Sequence, residues 1–193
     1  MANLHYFFGP IGCGKAVKLI QDRYNFVQKG VKVLVIKPQG NDNEPKIKSR
    51  IGLECPAEIC NTIDWTDFIR RKNGIVPEVI MIYDVHLFTP RDIDNLVKLA
   101  DNYGKLIFCY GLLIDTDEKM YPASKHLLEV GAKFQEIKLS CETPGCKNLA
   151  DHNVCYDEYN KIIKNSKLIP QDKNHVFKSL CRICFDRETQ KYR

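Results

Sequence analysis

Short apolar runs alternate with helical patterns over the first 139 residues of the chain. The runs predict buried strands at 4–8, 31–36, 79–83, 106–110 and 134–139. Apolar residues spaced three or four apart predict helices over 14–28 and 123–130, and another beginning at Pro90. Strands that are apolar throughout and alternate with helices indicate a parallel sheet covered on both faces. We therefore expect an α/β fold.

Capping residues mark the ends of several predicted helices. Gly30 ends the first helix, and residues 38–45 form a polar loop. Asp64 is a candidate N-cap for a helix over 65–72. Thr89 is the expected N-cap of the helix in which Pro90 takes the first position.

The alternating pattern stops near Leu139, where we place a domain boundary. Residues 1–139 are expected to form the α/β domain, and 140–193 a small domain with paired cysteines and Lys/Asn-rich linkers. A length of 193 residues suits one such domain with an appendage. No apolar run approaches the roughly 20 residues that span a bilayer, and residues 1–8 lack signal-peptide features. We expect a cytoplasmic protein with no membrane partner.

The chain is mildly basic, with 29 basic and 24 acidic residues and a net charge of +5. These charges are interspersed, apart from short basic clusters at 46–50 and 191–193. A nucleic-acid binder more often carries a basic stripe with interleaved aromatic residues. The charge pattern therefore argues against nucleic acid as the partner.

Residues 9–16 match the phosphate-binding loop G-x-x-x-x-G-K, placed between a strand and a helix. Backbone N–H groups of such a loop surround phosphate oxygens, and the lysine adds a positive charge. The candidate residues for binding ATP or another nucleotide are Gly9, Gly12, Cys13, Gly14, Lys15 and Ala16. The motif normally ends in Ser or Thr, whose hydroxyl binds Mg²⁺. Ala16 has no oxygen to offer.

One acidic residue, Asp84, follows the third predicted strand. A phosphate-loop kinase needs a carboxylate near its metal and often a second one as general base. Asp84 cannot serve in both roles. The sequence therefore provides little to hold Mg²⁺.

Four of the nine cysteines form two close pairs near the C-terminus. The pairs are Cys141 with Cys146 and Cys181 with Cys184. An odd number of cysteines without a signal peptide argues against a disulfide framework. Four thiolates at this spacing predict a structural Zn²⁺ site. Three further residues are possible substitute ligands: Cys155, His152 and His175.

The order of these motifs resembles the bacterial, zinc-containing thymidine kinase family. The resemblance rests on residues 4–16, 49–53, 84–88, 109–112 and the paired cysteines. It implies a phosphate-loop kinase core, a zinc domain, and a lasso loop that here corresponds to about 38–55. It also implies transfer of the ATP γ-phosphoryl group to thymidine with Mg²⁺, and a homotetramer.

The resemblance also assigns individual residues. Asp84 takes the position of the general base, and Tyr83 the position of a metal-linked aspartate. On the substrate side the implied residues are Arg50, His86, Tyr110, Gly111, Asp115 and Phe177. Several departures lie there: His86 replaces a glutamine, Phe177 a tyrosine, and residues 169–172 a Gly-Gly loop.

Three hypotheses follow. The leading one is a thymidine-kinase-like pseudoenzyme that binds a nucleotide or nucleoside. The reason is that losing both side chains that hold Mg²⁺ would lower the reaction rate by several factors of about 10². The second is an active thymidine kinase with a metal site rebuilt on Asp84 and His86. The third is a scaffold for an unknown protein partner with a vestigial phosphate loop.

Overall fold

The protein, seen in a computed structural model, is described over residues 3–40, 44–64, 66, 77–163 and 175–190. The strands are β1 (Leu4–Phe8), β2 (Val33–Lys37), β3 (Lys46–Lys48), β4 (Glu54–Pro56), β5 (Glu58–Ile59), β6 (Val79–Tyr83), β7 (Leu106–Gly111), β8 (Lys133–Glu136), β9 (His152–Tyr156), β10 (Ile162–Ile163) and β11 (Val176–Leu180). The α-helices are α1 (Lys15–Gln28), α2 (Pro90–Asn102), α3 (Pro122–Glu129) and α4 (Arg182–Gln190). A one-turn 3-10 helix covers Val85–Leu87.

A six-stranded parallel sheet forms the centre of the molecule, in the order β5-β2-β6-β7-β1-β8. Helices cover both faces, so the central strands bury side chains on each side: Met81 and Ile82 are both fully buried. The register sets Tyr83 opposite Tyr110, and Phe8 opposite Gly111. The segments that follow β1 and β6 therefore leave the sheet at the same edge. The predicted α/β fold is confirmed.

Two predicted strands have different limits in the structure. The second strand begins at Val33 rather than at residue 31, because the Val31 N–H bonds back to the carbonyl of Phe26 in the turn that ends α1. The strand predicted over 134–139 is β8, Lys133–Glu136. It stops where its partner β1 ends, and the Ile137 N–H makes the last bond, to the carbonyl of Phe8.

Helix α2 begins as its sequence predicts. Thr89 is the N-cap, and Thr89 and Asp92 form a reciprocal capping box with Pro90 in the first turn. The buried Asp92 carboxylate also accepts a hydrogen bond of 2.6 Å from the Ile63 N–H. The helix expected over 65–72 lies largely outside the described residues. Asp64 does accept bonds from the backbone N–H and hydroxyl of Thr66, at 3.0 and 2.7 Å.

Two smaller sheets complete the described fold. Strands β3 and β4 form an antiparallel hairpin, and β9 lies between β10 and β11 in a second antiparallel sheet. The second sheet and α4 share an apolar cluster that includes Val154, Leu180 and Phe185. No described helix has both the length and the apolar character needed to cross a membrane.

Candidate functional site

The loop between β1 and α1 has the conformation of a phosphate-binding loop. Gly14, the N-cap of α1, is left-handed with φ 93°, a conformation that favours glycine. Gly9 is required by packing, because a Cβ there would lie 2.5 Å from the carbonyl oxygen of Ile137 and 2.7 Å from Sγ of Cys13. The loop leads directly into the first turn of α1, where free backbone N–H groups attract anions.

Lys15 is buried within this loop, with 7% of its surface exposed. Its Nζ donates to the carbonyl oxygens of Gly9 and Pro10 at 2.9 and 2.7 Å, and lies 3.6 Å from Sγ of Cys13. Burial lowers the pKa of the ammonium group. The Lys15 Nζ therefore lies at the centre of the loop, held by its carbonyl oxygens.

A cavity of about 300 Å³ opens over the loop. Three segments supply most of its wall: the loop with the first turn of α1, the tip of the β3–β4 hairpin at 48–51, and the end of β6 at Tyr83 and Asp84. Leu112, just after β7, completes it. Three places far apart in sequence thus meet around the phosphate loop.

Charge in this cavity is mainly positive. Lys15, Lys48 and Arg50 line it, and Asp84 is the single acidic residue among the lining residues that the structure describes. The Arg50 guanidinium lies against the loop, since a Cβ built on Gly12 would be 3.1 Å from its Nη1. The cavity can therefore attract an anion.

Asp84 is the acidic group at the end of β6. Its backbone is left-handed, with φ 49° and ψ 43°, where it begins the 3-10 helix. Burial raises the pKa of its carboxyl group to about 6, although the positive charges of Lys15 and Lys37 act in the opposite direction. Such a carboxyl group changes its charge close to neutral pH.

The residues around this cavity do not fit a Mg²⁺ site of the kinase type. Mg²⁺ prefers oxygen ligands in octahedral geometry, usually including carboxylates. Ala16 lines the cavity without a side-chain oxygen. The Asp84 charge and burial raise the pKa of Tyr83, so its hydroxyl stays neutral. The positive charges of Lys15 and Lys37 already act on the Asp84 carboxyl group.

His86 and Gly111, both predicted on the substrate side, pack against each other away from the cavity lining. Nδ1 of His86 accepts a hydrogen bond of 3.2 Å from the Leu112 N–H, and its ring meets Tyr121 edge-on at 4.6 Å. Burial lowers the pKa of His86 to about 3, so the ring is neutral. A Cβ on Gly111 would lie 3.0 Å from Val85. Their role toward a substrate stays a prediction.

Three other predicted substrate residues also lie outside the cavity lining. Tyr110 is buried, and its hydroxyl donates to Asp22 at 2.7 Å. Asp115 accepts bonds from two backbone N–H groups of its own turn, those of Asp117 and Lys119. Phe177 lies in β11 opposite Cys155. The structure brings none of the three to the phosphate loop.

Sequence reasoning gave no role to Ser49 or Ile51, although both line the cavity beside Lys48 and Arg50. The basic cluster at 46–50 was a signal for this region. The spacing of these basic residues does not show which of them face the cavity. Lys46 pairs with Glu54 on the opposite strand at 3.0 Å, whereas Arg50 lies over the loop.

The four paired cysteines converge at the C-terminal end of the molecule. The sulfur atoms of Cys141, Cys146, Cys181 and Cys184 all lie within 4.8 Å of one another. A tetrahedral site with Zn–S bonds of about 2.3 Å needs sulfurs about 3.8 Å apart, and Cys146 and Cys181 are 3.8 Å apart. The set therefore fits Zn²⁺. None of the substitute ligands belongs to this cluster of described residues; His152 instead packs its ring 4.7 Å from that of Phe185.

Hydrogen bonds prepare the cysteine cluster for a cation. The Cys181 N–H donates to Sγ of Cys141 at 3.2 Å. A bond from the backbone of Cys184 lowers the pKa of Cys181 to about 6. Thiolate is the form that binds Zn²⁺, so these contacts favour that form at Cys181, whereas hydrogen bonds with the other cysteines raise the pKa of Cys146.

The parallel sheet, the phosphate loop at its edge and the four-cysteine cluster define a phosphate-loop α/β protein with a small zinc-type module. A family profile described as thymidine kinase matches residues 2–185. The thymidine kinase of Zymomonas mobilis is 29% identical over 187 residues, covering 94% of this chain and 95% of the relative. Those of Yersinia pseudotuberculosis (27% identical, 94% and 93% covered) and Rhodopirellula baltica (24%, 96% and 88%) are also similar. The chain belongs to the thymidine kinase family.

Proposed function

We propose that this member of the thymidine kinase family binds a nucleotide through its phosphate loop and is a strongly impaired phosphotransferase. One observation carries the proposal: Ala16 and Tyr83 lie on the wall of the same cavity as Lys15. The loop keeps its glycines, its helix N-terminus and its lysine, which are the groups that hold phosphates. Of the two positions beside it that should hold Mg²⁺, Ala16 provides no oxygen, and Tyr83 provides a neutral phenol in place of a carboxylate.

Binding and chemistry have different requirements in such a site. Phosphate binding needs the loop N–H groups and Lys15. Phosphoryl transfer also needs charge stabilisation, mainly from Mg²⁺ that bridges the β- and γ-phosphates. A chain that keeps the first set and loses the second is expected to bind ATP with little turnover.

Two measurements on one preparation test the proposal. Calorimetry should detect ATP binding to the wild-type protein and its loss in Lys15→Ala, whereas Lys29→Ala, at the exposed end of α1, should bind normally. A radiometric assay with thymidine and MgATP should give only trace product. Turnover at rates of about 1 s⁻¹ or more, typical of kinases, would refute the claim of impaired chemistry.

A second candidate, an active thymidine kinase, is favoured by Asp84. Its carboxyl group lies in the cavity with a pKa raised to about 6, and a general base works best when its pKa is near the working pH. This candidate requires a rate that rises with pH around 6 and disappears in Asp84→Asn. A flat, trace-level profile excludes it.

The proposed function includes the number of chains that associate in solution. We infer a homotetramer from the family resemblance alone. Light scattering coupled to size exclusion tests it, and a mass near the monomer value of 22.3 kDa would contradict it.

A further inference from the structure

Arg50 differs from the other cations of the cavity in how it is held. Lys48 pairs with Glu44 at 2.6 Å, and Lys15 is bound by loop carbonyls. Arg50 is exposed and makes no ion pair within the described part of the chain. Its guanidinium lines the cavity, where it can meet an incoming anion.

The position of Arg50 is fixed by an ordered turn. At the hairpin tip the Ser49 N–H donates to the carbonyl of Leu53 at 2.8 Å, and the Leu53 N–H donates to Oγ of Ser49 at 2.9 Å. Ile47, one strand residue before the tip, is buried against the core. This anchoring places Arg50 beside the loop, where a Cβ built on Gly12 would lie 3.1 Å from its Nη1.

A guanidinium in this place can neutralise phosphate charge, a task that Mg²⁺ cannot perform here because its ligands are missing. Mg²⁺ serves phosphate-loop kinases by cancelling charge on the outer phosphates. Arginine offers a planar fork that binds two phosphate oxygens at once and never loses its charge. Arg50 and Lys15 line the same cavity, and the Arg50 guanidinium lies against Gly12 of the loop, so the two cations border the same space.

We infer that Arg50 takes the charge-neutralising role of Mg²⁺ in this chain, and that the ligand of the cavity is a metal-free nucleoside di- or triphosphate. This inference rests on the proposed function, since it requires that a nucleotide binds the loop. A nucleotide without Mg²⁺ keeps the two negative charges that the ion would cancel. It therefore gains more from the cationic cavity than the Mg²⁺ complex does.

The test is calorimetric titration of ATP, and separately of inorganic tripolyphosphate, into the full-length protein. Each is measured in buffer dialysed free of Mg²⁺, without a chelator, and with excess MgCl₂. The Kd is expected to be several times lower without Mg²⁺. Arg50→Ala should raise the Kd without Mg²⁺ about 10-fold or more, and Arg50→Lys should fall between. Arg91→Ala removes an exposed arginine at the start of α2 and is the matched control, expected to bind as the wild type does. Melting curves confirm that each variant is folded.

The outcomes separate this inference from the proposal beneath it. If the wild type binds ATP only with Mg²⁺, or if Arg50→Ala binds as tightly as the wild type, the role of Arg50 is refuted and nucleotide binding stands. If the wild type binds neither ligand in either buffer, nucleotide binding itself is refuted, and the inference with it.

Discussion

The backbone N–H of Ile11 donates a hydrogen bond of 2.8 Å to Oδ1 of Asn153. Ile11 belongs to the phosphate loop, and Asn153 to β9 in the C-terminal sheet, 142 residues away. Ser179 of the neighbouring β11 adds a bond of 2.6 Å to the Ile11 carbonyl. Both polar groups of one loop residue are thus satisfied by the C-terminal module, which braces the loop from outside the parallel sheet.

Asn153→Ala should weaken both folding and nucleotide binding. The side chain is buried, so its removal leaves the Ile11 N–H without a partner, at a cost of about 1–3 kcal/mol in the free energy of unfolding. The Kd for ATP should rise because the loop loses its brace. Urea unfolding and calorimetry measure the two effects. Asn102→Ala, at the exposed end of α2, is the control; equal behaviour of the two variants would contradict the bracing role.

Removal of zinc should weaken the phosphate loop, because the C-terminal module supports the loop through the contacts of Asn153 and Ser179 with Ile11. We expect about one Zn²⁺ per chain by elemental analysis, and a lower Tm after chelation, because metal binding to such a site contributes directly to folding. Cys181→Ser should lose the metal, whereas Cys60→Ser, outside the cluster, should keep it. A chelated protein with unchanged Tm and unchanged ATP affinity would contradict a structural metal that supports the loop.

Asp84 should make the protein less stable as the pH rises. Its folded pKa of about 6 lies above the ordinary value of 3.8, so the folded state binds the proton more tightly. The stabilisation is fully present below about pH 4 and is lost as the pH rises through 6. Between pH 5 and 8 the wild type should lose about 1–2 kcal/mol relative to Asp84→Asn. Unfolding in urea at several pH values measures this, with Asp101→Asn, on the exposed end of α2, expected to follow the wild type.

Restoring the missing oxygens should restore a response to Mg²⁺. The double variant Ala16→Thr with Tyr83→Asp supplies a hydroxyl and a carboxylate at two positions on the cavity wall. We expect Mg²⁺ to tighten ATP binding to this variant about 10-fold, the reverse of its effect on the wild type. Ala16→Val with Tyr83→Asn matches the shapes without the charge or hydroxyl. A Mg²⁺ effect equal in both double variants would show that the new oxygens are not responsible.

The parts of the site that could be predicted are those that lie together in sequence. The spacing of Gly9, Gly14 and Lys15 predicts the phosphate loop, because the shape of the loop depends only on one strand, one turn and one helix that follow one another in the chain. The cysteine cluster followed from two close pairs for a similar reason, although the long separation between the pairs left Cys155 as an alternative until the fold was known.

The sequence does not give the direction of the side chains on the predicted substrate side. Sequence order places Tyr110 and His86 near strand ends, and their role toward a substrate stays a prediction. Sheet register and packing turn Tyr110 toward Asp22 and His86 toward Leu112. At the hairpin tip, Arg50 reaches Gly12 through a tertiary contact across a long stretch of chain. The resemblance named Arg50 for the substrate side, but no local pattern predicts this contact.

The sheet order also affects how the protein behaves when concentrated. Among the described strands, β8 lies at the end of the parallel sheet and pairs with β1 alone. Three of its four residues are polar or charged: Lys133, Gln135 and Glu136. Short, charged outer strands discourage pairing with strands of other chains, which is a common route to aggregation. The same four residues that end the sheet therefore help to keep one molecule from extending the sheet of another.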